Sequence, residues 1–400
     1  MNKLFSYLGG DRNIWVLSLM LGVLSVVSVF SFIPILVKVK GMSYSYLFFK
    51  HFFLLVLGFV LMFAVHKIPT KVFSKLSKLL FYVAIVLLVL TMFMGESVNG
   101  ADRWLKIPFL PFSFQTSDFA KLALIVYLAR QLVKRKDQFD DLGIVFKHIL
   151  LPIGVTMFLI LPSNLSTAVL VGFIAFVMLV IAKFPWKWIG LSAAGAVGAF
   201  SILLLISSVA PEALPRVETW RSRIVKMFGD EEQINPTENM QANNALAAIK
   251  NGAVPQGPGN GVLKHYIPEA YADFYFAALI EEGGLPMAII VIMLYMWLFF
   301  RFIKTGLGSE NTFATYMVLG IGIMMMSQVM VNMMVSTKLM PVTGQNMPLL
   351  SMGGTSAWFT CIAFGMVLGV SREQMRSSKK ETSTTGTKNQ INKEVEDAIA

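Results

Sequence analysis

Cysteine is almost absent from this 400-residue chain: Cys361 is the single one. An intrachain disulfide is therefore excluded, and because Cys361 lies inside an apolar run it reads as a small core residue. Charge is scarce as well. Asp, Glu, Lys and Arg make up 14% of the residues, against roughly a quarter in a soluble domain, which argues against a water-soluble globule of this size. Period-2 alternation of barrel type is also missing, so strands do not span a bilayer here. No internal repeat stands out, which counts against transporter folds built from inverted halves.

What the chain has instead is apolar length. Hydrophobic residues account for 56% of it, in runs near the twenty residues or so that carry a helix across the hydrocarbon core. Ten such segments fall at about 14–37, 47–65, 76–95, 117–133, 148–161, 164–182, 188–210, 274–302, 312–336 and 354–371. The fifth is short and bounded by Pro162. The first is too long for a cleaved leader and lacks a small-residue cleavage site. The predicted fold is an all-α polytopic membrane protein, with a ten-helix membrane domain over 1–372 and a large loop, 211–273, between helices 7 and 8.

The net charge of +11 could suggest nucleic acid, but its distribution says otherwise. With the N-terminus inside, nineteen Lys and Arg flank the inner ends of the spans and six sit in the short outer loops. That bias follows the positive-inside rule and predicts that both termini are cytoplasmic. The basic excess is an orientation signal, and no nucleic-acid partner is expected. Residues 373–400, rich in Ser, Thr, Lys and Glu, read as a disordered cytoplasmic tail.

Three outer loops interrupt the apolar pattern: 96–116, 211–273 and 337–353. In the second, Val217–Phe228 is amphipathic and reads as an interfacial helix anchored by Trp220 and Phe228. Gln241–Lys250 reads as another helix, stopped by Asn251-Gly252. Pro255-Gln256-Gly257-Pro258-Gly259-Asn260-Gly261 is a turn-rich segment.

Several residues could carry chemistry. Asp118 and Lys121 share one face of the fourth span, as a functional intramembrane pair or an ion pair that fixes packing. Arg103-Trp104 suits an oxyanion beside a sugar ring, or equally a charge in an interfacial aromatic belt. Arg221, Arg223 and Lys226 form a basic cluster for a pyrophosphate-linked lipid or for anionic headgroups. Asp273 enters the eighth span among aromatic residues, where desolvation would raise a carboxyl toward general-base range; the alternative is a helix N-cap. Glu281 and Glu282 lie deeper, with neighbouring helices or backbone as natural partners. Gln328, Asn332, Gln345 and Asn346 fit interhelical hydrogen bonds. The methionines from Met324 to Met334 fit adaptable packing.

Taken in order, these motifs resemble the SEDS family (shape, elongation, division and sporulation) of FtsW/RodA type, over about residues 14–372. The most specific stretch contains Gln241, Gly257-Pro258-Gly259-Asn260, Ile267-Pro268-Glu269, Asp273-Phe274-Tyr275-Phe276-Ala277 and Glu281-Glu282. The closing signature is Met340-Pro341-Val342-Thr343-Gly344-Gln345, then Met347-Pro348-Leu349-Leu350-Ser351-Met352-Gly353-Gly354-Thr355-Ser356. Three stretches depart from the family pattern. Gln115-Thr116-Ser117-Asp118-Phe119-Ala120-Lys121 stands for Gln-Pro-Ser-Glu-Leu-Ala-Lys, Ser163-Asn164-Leu165-Ser166-Thr167 for Pro-Asp-Leu-Gly-Thr, and Met352 for a tyrosine.

The resemblance implies polymerisation of lipid II, the undecaprenyl-pyrophosphate-linked disaccharide-peptide of bacterial walls, on the outer face of the inner membrane. It implies a class B penicillin-binding protein and divisome proteins as partners, and the Gly-Pro-Gly-Asn turn is closer to the division branch (FtsW). On it, Asp273 is the catalytic carboxylate. Arg103, Trp104, Lys121, Arg221, Arg223, Gln241 and Glu269 are substrate contacts, with room for a divalent cation. Asp118, Glu281, Glu282, Gly353 and Gly354 are supporting residues. A lipid II flippase, an elongation-type polymerase and a non-catalytic scaffold for division proteins are the rival expectations.

Overall fold

The computed structural model describes residues 9–98, 101–106, 113–209, 236–267 and 270–399. Eleven α-helices run through them: α1 (Arg12–Lys40), α2 (Tyr44–Val65), α3 (Thr70–Met94), α4 (Thr116–Lys134), α5 (Leu142–Ile160), α6 (Leu165–Ile181), α7 (Trp186–Val209), α8 (Pro236–Asn251), α9 (Tyr275–Leu307), α10 (Thr312–Ser336) and α11 (Ser356–Ile399). Ten coincide with the ten apolar segments, and α8 lies in the long loop. Six, α1, α2, α3, α5, α9 and α10, are long and apolar enough on length and composition alone to cross a membrane. Large apolar side chains such as Phe49, Phe93 and Leu285 project outward from them, as lipid-facing residues do.

Helix starts follow local capping chemistry. Asp11, Ser43, Asp141, Asn164 and Asn311 each accept a backbone N–H of the first turn, which satisfies donors that the helix itself leaves orphaned. The fifth span begins earlier than its apolar run, at Leu142, and passes through a π-helical turn at Phe146–Leu150. Helix α4 is buried along nearly its whole length, from Thr116 to Leu132. Other helices surround it, so it tolerates polar residues that a lipid-facing span would not.

Close helix packing explains the lone cysteine. A side chain at Gly58 of α2 would meet the Cys361 sulfur of α11 at 2.9 Å, so the two helices approach through their smallest residues. Helix α9 is broken at Gly284, whose φ of 71° suits glycine and whose missing side chain leaves room for Pro255.

Two features go beyond the sequence reading. The loop 96–116 contains an antiparallel sheet of three short strands, β1 (Glu96–Val98), β2 (Ala101–Lys106) and β3 (Ser113–Gln115), with Trp104 paired to both Glu96 and Gln115. The two three-residue strands carry too little alternation to be read from sequence, and Ala101–Lys106 does not alternate. Residues 373–399, expected to be disordered, continue helix α11. Apart from Gly386 that stretch has no helix breaker, and its Lys, Glu, Gln and Arg residues keep their rotamer freedom in a helix.

Candidate active site

The loops on one face of the bundle enclose a cavity of about 360 Å³, at the small end of the roughly 300–1,000 Å³ typical of ligand pockets. Its walls come from five places: Lys50 and His51 of α2, Arg103 and Trp104 of β2, Gln115 at the entry to α4, Tyr271–Asp273 before α9, and Gly344, Asn346 and Met352–Thr355 before α11. Among the described residues, Asp273 is the one carboxylate in that wall.

The carboxylate faces a cation across a glycine. A side chain at Gly344 would lie 3.1 Å from Arg103 Nη1, 3.9 Å from Asp273 Oδ2 and 3.9 Å from Asn164 Nδ2. Guanidinium and carboxylate therefore stand within about 7 Å of each other, with no side chain between them at this point. Gly344 has φ of 70°, so glycine suits the backbone as well as the space. Arg103 is aimed by its own hydrogen bond, Nε donating to the Ser163 carbonyl at 2.8 Å.

Asp273 is half-buried, on a strapped stretch of backbone. The Asn332 side-chain amide, fully buried on α10, lies 3.1, 3.0 and 2.9 Å from the carbonyls of Ala272, Asp273 and Gln345. Ser351 donates to the Ala272 carbonyl at 3.1 Å, and the Met352 N–H donates to the Tyr271 carbonyl at 3.0 Å. Gln345 in turn donates to Thr167 Oγ1 of α6 at 2.7 Å. These bonds hold the loop before α9 and the loop before α11 as one wall. The cap position of α9 is Phe274, with no side-chain cap bond, so Asp273 is not the helix cap that its place in the sequence allowed.

The other predicted residues divide. Trp104, Gly353 and Gly354 line the cavity, so the two glycines are wall rather than support. Lys121 is not in the cavity wall; it pairs with Asp118 at 2.8 Å, both buried. Three residues along a helix bring these side chains together, and the surrounding bundle closes over the pair. Gln241 sits on α8, outside the cavity wall. Arg221, Arg223, Glu269 and the helix expected at 217–228 lie outside the described residues. Lys50 and His51 were not among the predicted site residues. Their signal was present, as two ionisable residues inside an apolar run.

Glu281 and Glu282 support the loop 251–264. Glu281 accepts from Asn251 Nδ2 at 3.1 Å and from the backbone N–H of Leu263 and Lys264 at 2.7 and 2.9 Å. Glu282 accepts from the Gly259 N–H at 3.1 Å, from Ser31 Oγ and from the fully buried Lys264 ammonium. The Gly-rich turn is thereby folded onto the α9 break. The described residues include no group of three or more His, Cys, Asp or Glu side chains able to hold a metal ion, and the cavity offers a single carboxylate beside Arg103 and Lys50. That donor set is no cation cage of its own.

A polytopic helical membrane protein with one acid and two cations, among the described residues, gathered in a cavity at its loop face is the class defined by these features. The chain belongs to the FtsW/RodA/SpoVE family of cell cycle proteins, whose model matches residues 11–376. It is 31% identical over 338 residues, 83% of each chain, to a Halomonas elongata protein named "probable peptidoglycan glycosyltransferase FtsW". An Aliivibrio salmonicida protein of the same name is 31% identical over 373 residues, 91% of this chain and 89% of that one. Among solved structures, a chain from a study of "structural coordination of polymerization and crosslinking by a peptidoglycan synthase complex" superposes with a TM-score of 0.71 at 24% identity, covering 91% of this chain and 98% of that one. The rod shape determining protein RodA of Thermus thermophilus gives 0.65 at 23% identity, covering 92% and 99%.

Proposed function

We propose that this protein is a peptidoglycan glycosyltransferase that polymerises lipid II into glycan strands during cell division. The observation that carries the reading is Asp273 facing Arg103 across Gly344 in a cavity at the membrane mouth. The names of its relatives support it.

The reaction joins two lipid-linked sugars. A hydroxyl of the acceptor sugar attacks the anomeric carbon of the donor. The new C–O bond forms as the bond from that carbon to the pyrophosphate oxygen breaks, and the lipid pyrophosphate leaves with the electron pair. Asp273 takes the hydroxyl proton, which a positioned base makes worth typically ~10²–10⁴-fold. Arg103, with Lys50 at the same cavity, neutralises the departing charge, and Trp104 offers a face for a sugar ring.

In this reading the protein sits in the bacterial inner membrane with both termini cytoplasmic and the cavity outside, supported by the nineteen-to-six division of basic residues. A class B penicillin-binding protein is the partner that crosslinks the strands. The flippase alternative needs a continuous polar path along Asp118, Lys121, Glu281 and Glu282. Those four are engaged instead in separate buried clusters, Asp118 with Lys121 and the two glutamates with the 251–264 loop. Purified protein incubated with lipid II, alone and with its penicillin-binding partner, is expected to yield glycan chains; chain lengths from Asp273→Ala equal to those of the unsubstituted protein would overturn the assignment.

A further inference from the structure

Helix α2 buries one face, along Leu47, His51, Leu54, Leu55, Gly58 and Met62. Spacings of three and four residues make this a packed helical stripe, and His51 is its one ionisable member. A leucine would continue the stripe with no polar group to desolvate. The histidine is 5% exposed and lines the cavity that holds Asp273 and Arg103.

Hydrogen bonds around His51 fix which ring nitrogen carries the proton. Ser25 of α1 lies between the ring and the loop before α11, its Oγ 2.8 Å from the Leu350 carbonyl and 3.1 Å from His51 Nε2. A carbonyl can only accept, so the single hydroxyl proton goes to Leu350 and Ser25 turns a lone pair to the ring. Nε2 must then donate. Among the described residues no acidic side chain contacts the ring, so it is buried as the neutral imidazole, and Nδ1 keeps its lone pair. That Nδ1 bonds to no described residue and is not sealed within the bundle. It is an acceptor in a cavity wall, with no donor supplied by the protein.

We infer that His51 is a sugar-binding residue whose Nδ1 accepts a hydrogen bond from a hydroxyl or amide N–H of the substrate's sugar. The inference rests on the polymerase reading, which brings a sugar into this cavity. The rest of the wall shows why such a point is needed. Arg103, Lys50 and Trp104 can only donate, which suits the oxygens of a phosphate. In the polymerase reading Asp273 accepts, but it is committed to the proton it removes. Gln115, Asn346 and Thr355 can donate or accept, so they impose no direction on a ligand. Among the described side chains of the wall, His51 is then the fixed acceptor left to orient the sugar. An ionised lipid pyrophosphate without its sugar has no such donor to offer.

The test separates the two ring nitrogens, in full-length protein in detergent. In His51→Gln the amide nitrogen takes the place of Nε2 and keeps the Ser25 bond, while the Nδ1 acceptor is lost. In His51→Asn the amide oxygen takes the place of Nδ1, and the Ser25 bond is lost. Equilibrium binding of lipid II should weaken about tenfold in His51→Gln, which is ~1.4 kcal/mol, and recover most of that in His51→Asn. Undecaprenyl pyrophosphate, which has no sugar, should bind all three proteins alike. Should either variant fail to elute as a folded species, the unsubstituted protein is read by NMR, isotopically labelled at the ring nitrogens of its four histidines. Its His51 Nδ1 resonance should shift with lipid II and stay in place with undecaprenyl pyrophosphate. Full lipid II affinity in His51→Gln, a His51→Asn protein that binds no tighter than it, or an unmoved Nδ1 resonance would overturn the sugar contact and leave the polymerase reading standing. Equal weakening of both ligands in His51→Gln would overturn it as well. No lipid II bound by the unsubstituted protein would remove the polymerase reading, and this contact with it.

Discussion

Asp273 and Glu282 lie nine residues apart on one stretch of chain, and each is an acid gathered with a cation near the same face of the bundle. Their surroundings differ in every other respect. Glu282 and Lys264 are closed in, the lysine fully buried, and the glutamate takes further bonds from Ser31 and Gly259. Asp273 is half-buried and opens with Arg103 and Lys50 into a cavity wide enough for a ligand. A buried ion pair bonded to its own loop fixes that loop and has little left for a substrate. Access to a shared cavity separates the proposed catalytic acid from the structural one.

The sharpest way to break that comparison is to neutralise each acid in turn. Asp273→Asn keeps shape and should lower polymerisation by ~10²–10⁴-fold, with the thermal unfolding midpoint in detergent unchanged because the residue is only half-buried. Lys264→Met should do the opposite. It strands a buried carboxylate, which costs about 3–5 kcal/mol, so unfolding shifts while chain synthesis per folded molecule holds. Lys264→Met combined with Glu282→Leu should recover part of that loss, since an apolar pair of similar volume carries no desolvation penalty. A Lys264→Met protein of full stability but little activity would erase the distinction.

The sequence carried the membrane helices clearly because each apolar run states its own length. It carried Asp273, Arg103 and Trp104 because a charged or aromatic residue at the end of a span stands out. It could not carry what depends on tertiary closure. Lys121 and Asp118 look as functional as Asp273 by position, and only the bundle around α4 shows them sealed against one another. Lys50 and His51 were visible as ionisable residues in an apolar run, but nothing local says that they face Arg103 across a cavity. The strands at 96–115 escaped for a different reason: they exist through pairing with one another, two are three residues long, and Ala101-Asp102-Arg103-Trp104-Leu105-Lys106 does not alternate.

Smaller effects sharpen the comparison within the active wall itself. Asn332 is not in the cavity wall, yet its amide holds the carbonyls of Ala272, Asp273 and Gln345. Asn332→Ala should let the Asp273 backbone drift, lowering kcat by ~10–10²-fold on the scale of an ångström of misplacement. Lipid II binding should change far less, because Arg103 and Trp104 are carried by β2. A loss in binding equal to the loss in kcat would make Asn332 a general packing residue. The smallest expected change is at Asn164, where capping and site chemistry can be separated. Asn164→Ala removes the bond to the Thr167 N–H and should cost about 1 kcal/mol of stability. Asn164→Asp keeps that cap, as Asp and Asn serve nearly equally, so stability should move by no more than ~0.5 kcal/mol. It also replaces the inward-facing donor beside Arg103 with an acceptor. If undecaprenyl pyrophosphate binds both proteins equally while Asn164→Ala alone unfolds early, Asn164 is a helix cap and takes no part in substrate binding.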